Sequence, residues 1–241
     1  MVSKEKNKTE IYKNYIKRLI DIVCSGIALI VLSPLLLIVA ILVRIQLGAP
    51  VIYKQERPGK NENNFFLYKF RSMTDKRGLD GNLLPDEERL TSFGRTLRST
   101  SLDELPELWN IFKGDMAIVG PRPLLVEYLP YYTEKEAHRH DVRPGLTGWA
   151  QVNGRNVTPW DERLQQDIDY VEQCGFLLDC RIIAKTILKV VKRSDILVGE
   201  QHQQQGEGHG RLDVVRCFEP RREALINGQI IEKLHKEKFG G

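Results

Sequence analysis

Residues 22–43 read IVCSGIALIVLSPLLLIVAILV, a run of 22 residues without a charged side chain. A helix of about 20 apolar residues is long enough to cross the hydrocarbon core of a bilayer. A cleaved signal peptide fits poorly, because the run continues into Arg44 and Gln46 rather than into the small residues of a cleavage site. The run therefore predicts an N-terminal membrane segment.

The topology of this segment depends on its flanks and on its midpoint. Both flanks are rich in Lys and Arg, which favours the cytoplasmic side for both ends. Pro34 has no N–H, so the helix should bend there and the carbonyl of Ile30 should lose its helical partner. The hydroxyl of Ser33 lies three residues from Ile30 and can donate in its place. On these residues alone, a re-entrant bend and a kinked single-pass helix remain equal alternatives.

Composition limits the class of protein. The chain has 241 residues, and its 36 Lys+Arg and 32 Asp+Glu give a net charge of +4. A charged fraction of 28% excludes a polytopic membrane protein, and a hydrophobic fraction of 41% excludes wholesale disorder. The small basic excess does not by itself indicate nucleic acid, and it suits an anionic partner such as a phospholipid surface. One domain with an appendage is expected at this length.

The segment 51–73 predicts two strands joined by a polar turn. In the second strand, Phe66, Tyr68 and Phe70 alternate with Lys69 and Arg71. One face is expected to pack on a core and the other to present two cations. A merely solvated basic face is an equal alternative.

Two further segments have helical character. Residues 92–116, SFGRTLRSTSLDELPELWNIFKGDM, predict a dense helical region. Residues 176–193 predict a basic amphipathic helix, which suits either an anionic membrane surface or a core helix with a solvated basic side. The character of the chain changes at Glu200, where a polar linker begins. The predicted division is a membrane segment over 1–48, a catalytic domain over 49–199, and a linker with tail over 200–241.

The sequence SLDE at 101–104 carries the candidate chemistry. A purely structural interpretation is a capping box, in which Ser101 and Glu104 cap the start of a helix. In the functional interpretation, the carboxylates of Asp103 and Glu104 have different roles. One of the two attacks phosphorus, and the other holds a metal. An Asp carboxylate, with a reference pKa of about 3.9, is ionised at neutral pH and can act as a nucleophile.

A pyrophosphate target would impose further requirements on this site. Because it is itself anionic, attack by a carboxylate needs a divalent cation and basic side chains to neutralise charge. Mg²⁺ suits such a site, since it accepts one or two carboxylates together with substrate phosphate oxygens. Cations in constrained sequence contexts are available at Lys69, Arg98, Arg122 and Arg155.

An ordered series of motifs resembles a known family. The motifs are KRLIDI, Ser33-Pro34 within an apolar run, YKQERPG, YKFRSM, SLDELPELWN, KGDMAIVGPRP and RPGLTGWAQVNGRN. Together, over about residues 15–195, they resemble the bacterial sugar transferase family, the monotopic phosphoglycosyl transferases.

The resemblance implies a reaction. Members transfer a sugar 1-phosphate from a UDP-sugar to undecaprenyl phosphate and release UMP, here with a UDP-N-acetylated amino sugar such as UDP-N,N′-diacetylbacillosamine as the expected donor. The family's dyad falls on Asp103, which would form a phosphosugar–aspartyl intermediate, and on Glu104, which would bind Mg²⁺. The phosphate-binding positions would match Lys69, Arg98, Arg122 and Arg155.

The resemblance also implies an architecture and a location. The fold is expected to be α+β, mostly helical with a small antiparallel hairpin, with surface amphipathic helices and a re-entrant membrane helix bent at Ser33 and Pro34. The enzyme would lie on the cytoplasmic face of the bacterial inner membrane, as a monotopic protein. Its partners would be a UDP-sugar, undecaprenyl phosphate and the bilayer, with no nucleic acid. The alternative is a membrane-anchored interaction module without catalysis.

Overall fold

The computed structural model describes residues 10–154 and 158–192. The predicted tail at 200–241 and the site candidate Arg155 lie outside the described residues. After a π-helical turn at Tyr12–Ile16, the elements in chain order are α1 (Lys17–Val31), α2 (Ser33–Leu47), β1 (Ile52–Pro58), β2 (Asn64–Phe70), α3 (Asp86–Arg89), α4 (Ser92–Ser99), α5 (Glu107–Lys113), β3 (Ala117–Val119), α6 (Glu134–Ala137), β4 (Gly145–Thr147), α7 (Trp149–Asn153), α8 (Trp160–Gln173) and α9 (Phe176–Lys192).

The described residues form a mostly helical fold with two small sheets. The antiparallel hairpin of β1 and β2 is confirmed, with Ile52 opposite Phe70 and Pro58 opposite Asn64. A second sheet, the parallel pair β3–β4, is absent from the sequence prediction. Its backbones approach closely: a Cβ on Gly145 would lie 2.0 Å from the backbone nitrogen of Gly120.

The predicted faces of β2 require correction. Phe65 and Leu67 are buried against α5, whereas Phe66 is 54% exposed. Lys69 shares the face of the two buried residues, and its ammonium reaches an acidic cluster rather than solvent. The alternative of a solvated basic face was therefore wrong, because carboxylates from a distant part of the chain surround the ammonium of Lys69 and because Arg71 is buried. On the predicted core face, Phe70 is buried but Phe66 is not.

The bend in the apolar run is confirmed. α1 and α2 meet at an angle of 63°. The Ser33 hydroxyl donates to the carbonyl of Ile30 at 2.8 Å, as its spacing from Pro34 predicts. Within the described residues no single helix is long and apolar enough to span a bilayer, whereas this bent pair meets the length and composition requirement jointly.

Helix α1 exposes apolar side chains and buries polar ones. Lys17, Asp21 and Ser25 are buried. The side chains that α1 exposes are Leu19, Val23, Ile27, Ile30 and Val31. This arrangement reverses that of a helix on a water-soluble protein, where the polar face is solvated.

The buried charge of α1 is paired with a carboxylate on α9, near the end of the described residues. Asp179 on α9 accepts from the ammonium of Lys17 at 2.5 Å and from the hydroxyl of Tyr12 at 2.6 Å. Tyr170 on α8 donates to the other oxygen of this carboxylate at 2.8 Å. This four-residue network joins the apolar N-terminal helices to α8 and α9.

Two further side chains of α1 contact α5 and β3. The guanidinium of Arg18 donates to the carbonyls of Ile111 and Phe112 at 2.6 and 2.8 Å, at the C-terminus of α5. Asp21 accepts from the backbone N–H of Ile118 at 3.0 Å, in the middle of β3. α1 thus holds the helix and the strand that lie on either side of residues 114–116.

The predicted C-terminal helix is confirmed as α9. Two of its basic residues, Arg181 and Lys185, lie over the ring of Trp149, at 5.6 and 4.7 Å from its centroid. Ile182 is buried, while Leu177 and Leu188 are exposed. The basic side therefore packs on α7, and the helix still offers apolar side chains at its surface.

Candidate active site

The two candidate carboxylates lie on a single 3-10 turn, Leu102–Glu104, between α4 and α5. Ser101 has a φ of 54°, and its side chain caps nothing. The capping-box interpretation is therefore wrong, because a capping residue needs extended backbone angles to aim its hydroxyl at the helix. The predicted helical region is divided into α4, this turn and α5, with Pro106 just before the start of α5.

Asp103 is buried, with only 8% of its surface exposed. Burial, and after it the neighbouring charge of Glu104, raise its pKa from 3.8 to about 6 against the opposing effect of Lys69 and Arg98. A carboxylate taken out of water without a direct ion pair binds its proton more tightly. Asp103 is therefore mostly ionised at neutral pH, yet poorly solvated, which suits a nucleophile.

Glu104 is held by two cations. The ammonium of Lys69 lies 2.8 Å from its Oε1, and the guanidinium of Arg122 lies 3.1 Å from the same atom. The structure thus brings together Lys69 from β2, Arg122 from the loop after β3, and the predicted dyad. These three elements are far apart in sequence.

A third carboxylate, Glu107, belongs to this cluster and is missing from the sequence prediction. Its Oε1 lies 3.1 Å from the ammonium of Lys69, which therefore bridges it to Glu104. Burial raises the pKa of Glu107 to about 7, opposed by the charge of Lys69. Its spacing of four residues from Asp103 was the available signal, since such a spacing places two side chains on one side of a helical segment.

Arg98 is close enough to Asp103 for its charge to lower the pKa of that carboxyl. Its Nε donates to the hydroxyl of Ser72 at 3.0 Å. α4 lies close against the chain after β2 at this point, because a Cβ on Gly94 would lie 1.8 Å from the carbonyl oxygen of Ser72. Arg98 is thus placed beside the dyad by close backbone packing.

A second arginine, Arg57, lies near Arg122 and is also missing from the prediction. Burial, and after it the charge of Arg122, lower its pKa to about 10. Its Nε is buried and has no hydrogen-bond partner among the residues that the structure describes. Two neighbouring guanidinium groups favour the binding of an anion.

Buried polar side chains fix the positions of these cations. Asn110 on α5 accepts from the backbone N–H of Tyr68 at 3.1 Å and donates to the carbonyl of Phe66 at 2.7 Å, so it joins β2 to α5 beside Lys69. Arg139 donates to the backbone carbonyl of Arg122 at 2.8 Å. These contacts hold the backbone on both sides of the acidic cluster.

Comparisons with known proteins place this geometry in context. The model of the bacterial sugar transferase family matches residues 12–193. The chain is 51% identical over 176 residues to the uncharacterized sugar transferase EpsL of Bacillus subtilis, covering 73% of this chain and 87% of that protein.

Two relatives carry more specific names. The chain is 41% identical over 186 residues to the UDP-glucose:undecaprenyl-phosphate glucose-1-phosphate transferase of Xanthomonas campestris, and 35% identical over 189 residues to the UDP-N-acetylgalactosamine-undecaprenyl-phosphate N-acetylgalactosaminephosphotransferase of Aeromonas hydrophila. Each match covers 73% of this chain, but only 38% and 44% of the respective relative.

Proposed function

Since this chain belongs to the bacterial sugar transferase family, we propose that it transfers a sugar 1-phosphate from a UDP-sugar to undecaprenyl phosphate and releases UMP. The activities named for the Xanthomonas and Aeromonas relatives support this reaction class. The observation that carries the proposal is the buried Asp103 in a cluster of three carboxylates and several cations.

The reaction proceeds in two displacements at the β-phosphorus. A carboxylate oxygen of Asp103 attacks this phosphorus, an Asp–O–P bond forms, and the bond to the bridging oxygen breaks so that UMP leaves with that oxygen. An oxygen of undecaprenyl phosphate then attacks the same phosphorus and releases the Asp103 carboxylate. A covalent intermediate divides one difficult step into two and lets a soluble donor and a lipid acceptor use one site in turn.

The cations of the cluster supply charge stabilisation. Lys69 and Arg122 already face Glu104, so substrate phosphate oxygens can share or exchange these contacts. Arg98 lies near Asp103, and Arg57 lies near Arg122 and Glu107. Their positive charges stabilise the negative charge that builds up in the transition state. Arg155 remains a predicted phosphate-binding residue.

The carboxylates fit Mg²⁺, because this ion takes one or two carboxylates and completes its shell with substrate phosphate oxygens and water. Within the described ranges no group of three or more His, Cys, Asp or Glu could hold a metal by itself, so the substrate would have to contribute ligands. Glu104 would hold the ion, with Asp103 adjacent. When bound, Mg²⁺ would neutralise the diphosphate.

The reversed polarity of α1 supports a re-entrant membrane segment. Leucine, isoleucine and valine side chains are exposed on both sides of the Ser33-Pro34 bend, and they suit a hydrocarbon environment. The hydroxyl of Ser33 donates to the carbonyl of Ile30, which has lost its helical donor because Pro34 has no N–H. The proposal places both ends of the bent pair on the cytoplasmic side of the inner membrane, as in a monotopic protein. The acceptor lipid would then reach the site from the same leaflet.

The donor sugar is a separate question. Relatives of this chain are named as phosphotransferases of glucose, N-acetylgalactosamine and galactose. An N-acetylated amino sugar, with the N,N′-diacetylbacillosamine donor as one example, therefore stays a prediction. Release of UMP from a panel of UDP-sugars would identify it.

The covalent step provides the decisive experiment. Detergent-solubilised protein is incubated with Mg²⁺ and a UDP-sugar, and UMP release and intact mass are measured. Wild type should release UMP and carry a sugar-phosphate adduct on Asp103, whereas Asp103→Asn should do neither. Asp86→Asn, an exposed carboxylate on α3, is the matched control and should behave as wild type. Turnover by Asp103→Asn would exclude this mechanism, and absence of both signals in wild type would favour a non-catalytic interaction module.

A further inference from the structure

Arg122 is held beside the acidic cluster against electrostatic repulsion. Its guanidinium lies 3.1 Å from Oε1 of Glu104, and its charge is close enough to Arg57 to lower the pKa of that second guanidinium. Two like charges repel each other unless an anion lies between them. Keeping both side chains ready for a substrate phosphate therefore requires a rigid support for the backbone of Arg122.

The sequence around Arg122 limits how its backbone can be supported. The flanking residues Pro121 and Pro123 have no N–H to donate to a neighbouring strand. On the side of β4, the N–H of Gly145 donates to the carbonyl of Pro121 at 2.9 Å. The next carbonyl along the chain, that of Arg122, accepts from the guanidinium of Arg139 at 2.8 Å. This last contact fixes the direction of the chain at Arg122 itself.

Arg139 is itself fixed in a buried position. Only 2% of its side chain is exposed, and its Nη2 and Nε donate to the carboxylate of Asp167 on α8 at 2.6 and 3.1 Å. Its Nη1 donates to the hydroxyl of Tyr132 at 3.2 Å. A guanidinium that pairs with a carboxylate through two nitrogens is held in one orientation. The nitrogen that reaches the carbonyl of Arg122 is therefore held in place by the ion pair.

The 3-10 turn His138–Asp141, which carries Arg139, also contacts the hairpin of β1 and β2. It packs against the short turn that joins these two strands. The ring of His140 is buried there and interacts with the backbone of Gly59, two residues after Arg57. One turn thus contacts the backbone near both Arg57 and Arg122, so it can fix the separation of the two guanidinium groups.

We propose that Arg139 is a positioning residue for phosphoryl transfer: anchored by Asp167, it holds Arg122 beside Glu104 and Arg57 through the carbonyl of Arg122. This inference rests on the proposed function, because it assigns Arg122 to a substrate phosphate. Arg139 is too deeply buried to contact the substrate, so its effect on the reaction passes through Arg122.

The test is a double-mutant cycle on the full chain in detergent. UMP release is measured as kcat/KM, with Mg²⁺ and a UDP-sugar that wild type accepts. In Arg139→Lys, one ammonium can still neutralise Asp167, but a single nitrogen cannot also reach Tyr132 and the carbonyl of Arg122. We expect kcat/KM to fall by about 10- to 100-fold, as for a displacement of about 1 Å at a reacting site. In an Arg122→Met background, the same substitution should lower kcat/KM by less than about twofold.

Matched variants separate positioning from folding. Arg89→Lys is the control, because Arg89 also donates to a backbone carbonyl and pairs with an aspartate, and it should retain the kcat/KM of wild type. If Arg139→Lys does not fold, as judged by its thermal midpoint, Arg139→Met combined with Asp167→Leu replaces it. Removing both buried charges leaves neither unpaired. This double variant should show the same loss of kcat/KM and the same dependence on Arg122.

The outcomes separate the two proposals. An equal loss of kcat/KM with and without Arg122 would show that Arg139 supports the fold in general, and it would overturn the inference. Wild-type kcat/KM in Arg139→Lys would overturn it as well, and so would failure of both Arg139 variants to fold. If wild type releases UMP from no UDP-sugar, the proposed function itself fails and the inference falls with it.

Discussion

The burial of Asp103 predicts that its carboxylate destabilises the folded protein. Its pKa rises from 3.8 to about 6, so the folded state binds the proton more tightly than the unfolded state. Stability is therefore lost as the pH rises from about 4 through 6, and the full penalty applies at neutral pH. At 1.36 kcal/mol per unit, the shift corresponds to about 3 kcal/mol at pH 7.5 and to about 1 kcal/mol at pH 4.5.

Asp103→Asn removes this penalty while keeping the shape of the side chain. In EDTA, the variant should unfold at a higher temperature than wild type at pH 7.5, by several degrees, since each kcal/mol shifts the midpoint by about 2–4 °C at this size. Tryptophan fluorescence during heating measures the midpoint, and the gain should shrink to about a third at pH 4.5. Asp86→Asn is the exposed control and should show no such gain. Equal midpoints for wild type and Asp103→Asn at pH 7.5 would refute the argument from burial.

Three further predictions concern the supports of the site. Asn110→Ala leaves two partly buried backbone groups of β2 unpaired, so the free energy of unfolding should fall by roughly 2–4 kcal/mol. A change below about 1 kcal/mol in thermal or urea unfolding would show that the Asn110 hydrogen bonds do not stabilise this junction of β2 and α5. Asp179→Ala leaves the ammonium of Lys17 buried without its partner and should cost about 3–5 kcal/mol, while the double variant with Lys17→Met should recover a large part of it. Pro34→Ala should straighten the bent pair and move the N-terminus to the outer side of the membrane. A single cysteine placed at Ser3, with the native cysteines replaced, should then react with a membrane-impermeant thiol reagent in intact cells. Identical protection with and without Pro34 would show that the proline does not set the topology.

Sequence reasoning succeeded where the determinant is local. The bend and its hydrogen bond follow from Pro34, Ser33 and a carbonyl three residues away, all within one turn of helix. The hairpin follows from two strand-like segments joined by a polar turn. Motif resemblance supplied the family, because seven short motifs in one order are specific together.

It failed where the determinant is a distant contact. The alternation in β2 is ambiguous, since both faces carry aromatic or apolar residues, and only packing against α5 decides that Phe65 and Leu67 are buried. The parallel pair has three residues in each strand, too few to show periodicity. Glu107 pairs with Lys69, and Arg57 lies within electrostatic range of Arg122, each more than thirty positions away in sequence.

The inverted polarity of α1 has a consequence for protein engineering. A soluble fragment that begins after residue 48 would discard the cation that neutralises Asp179, and with it the side chains of Arg18 and Asp21 that hold α5 and β3. Because α5 carries Glu107 and β3 leads to Arg122, such a fragment would lose the contacts that position the acidic cluster. Solubility is better sought by replacing the exposed side chains of α1, such as Leu19 and Ile27, with polar residues, since their removal from the surface leaves every buried contact of this helix in place.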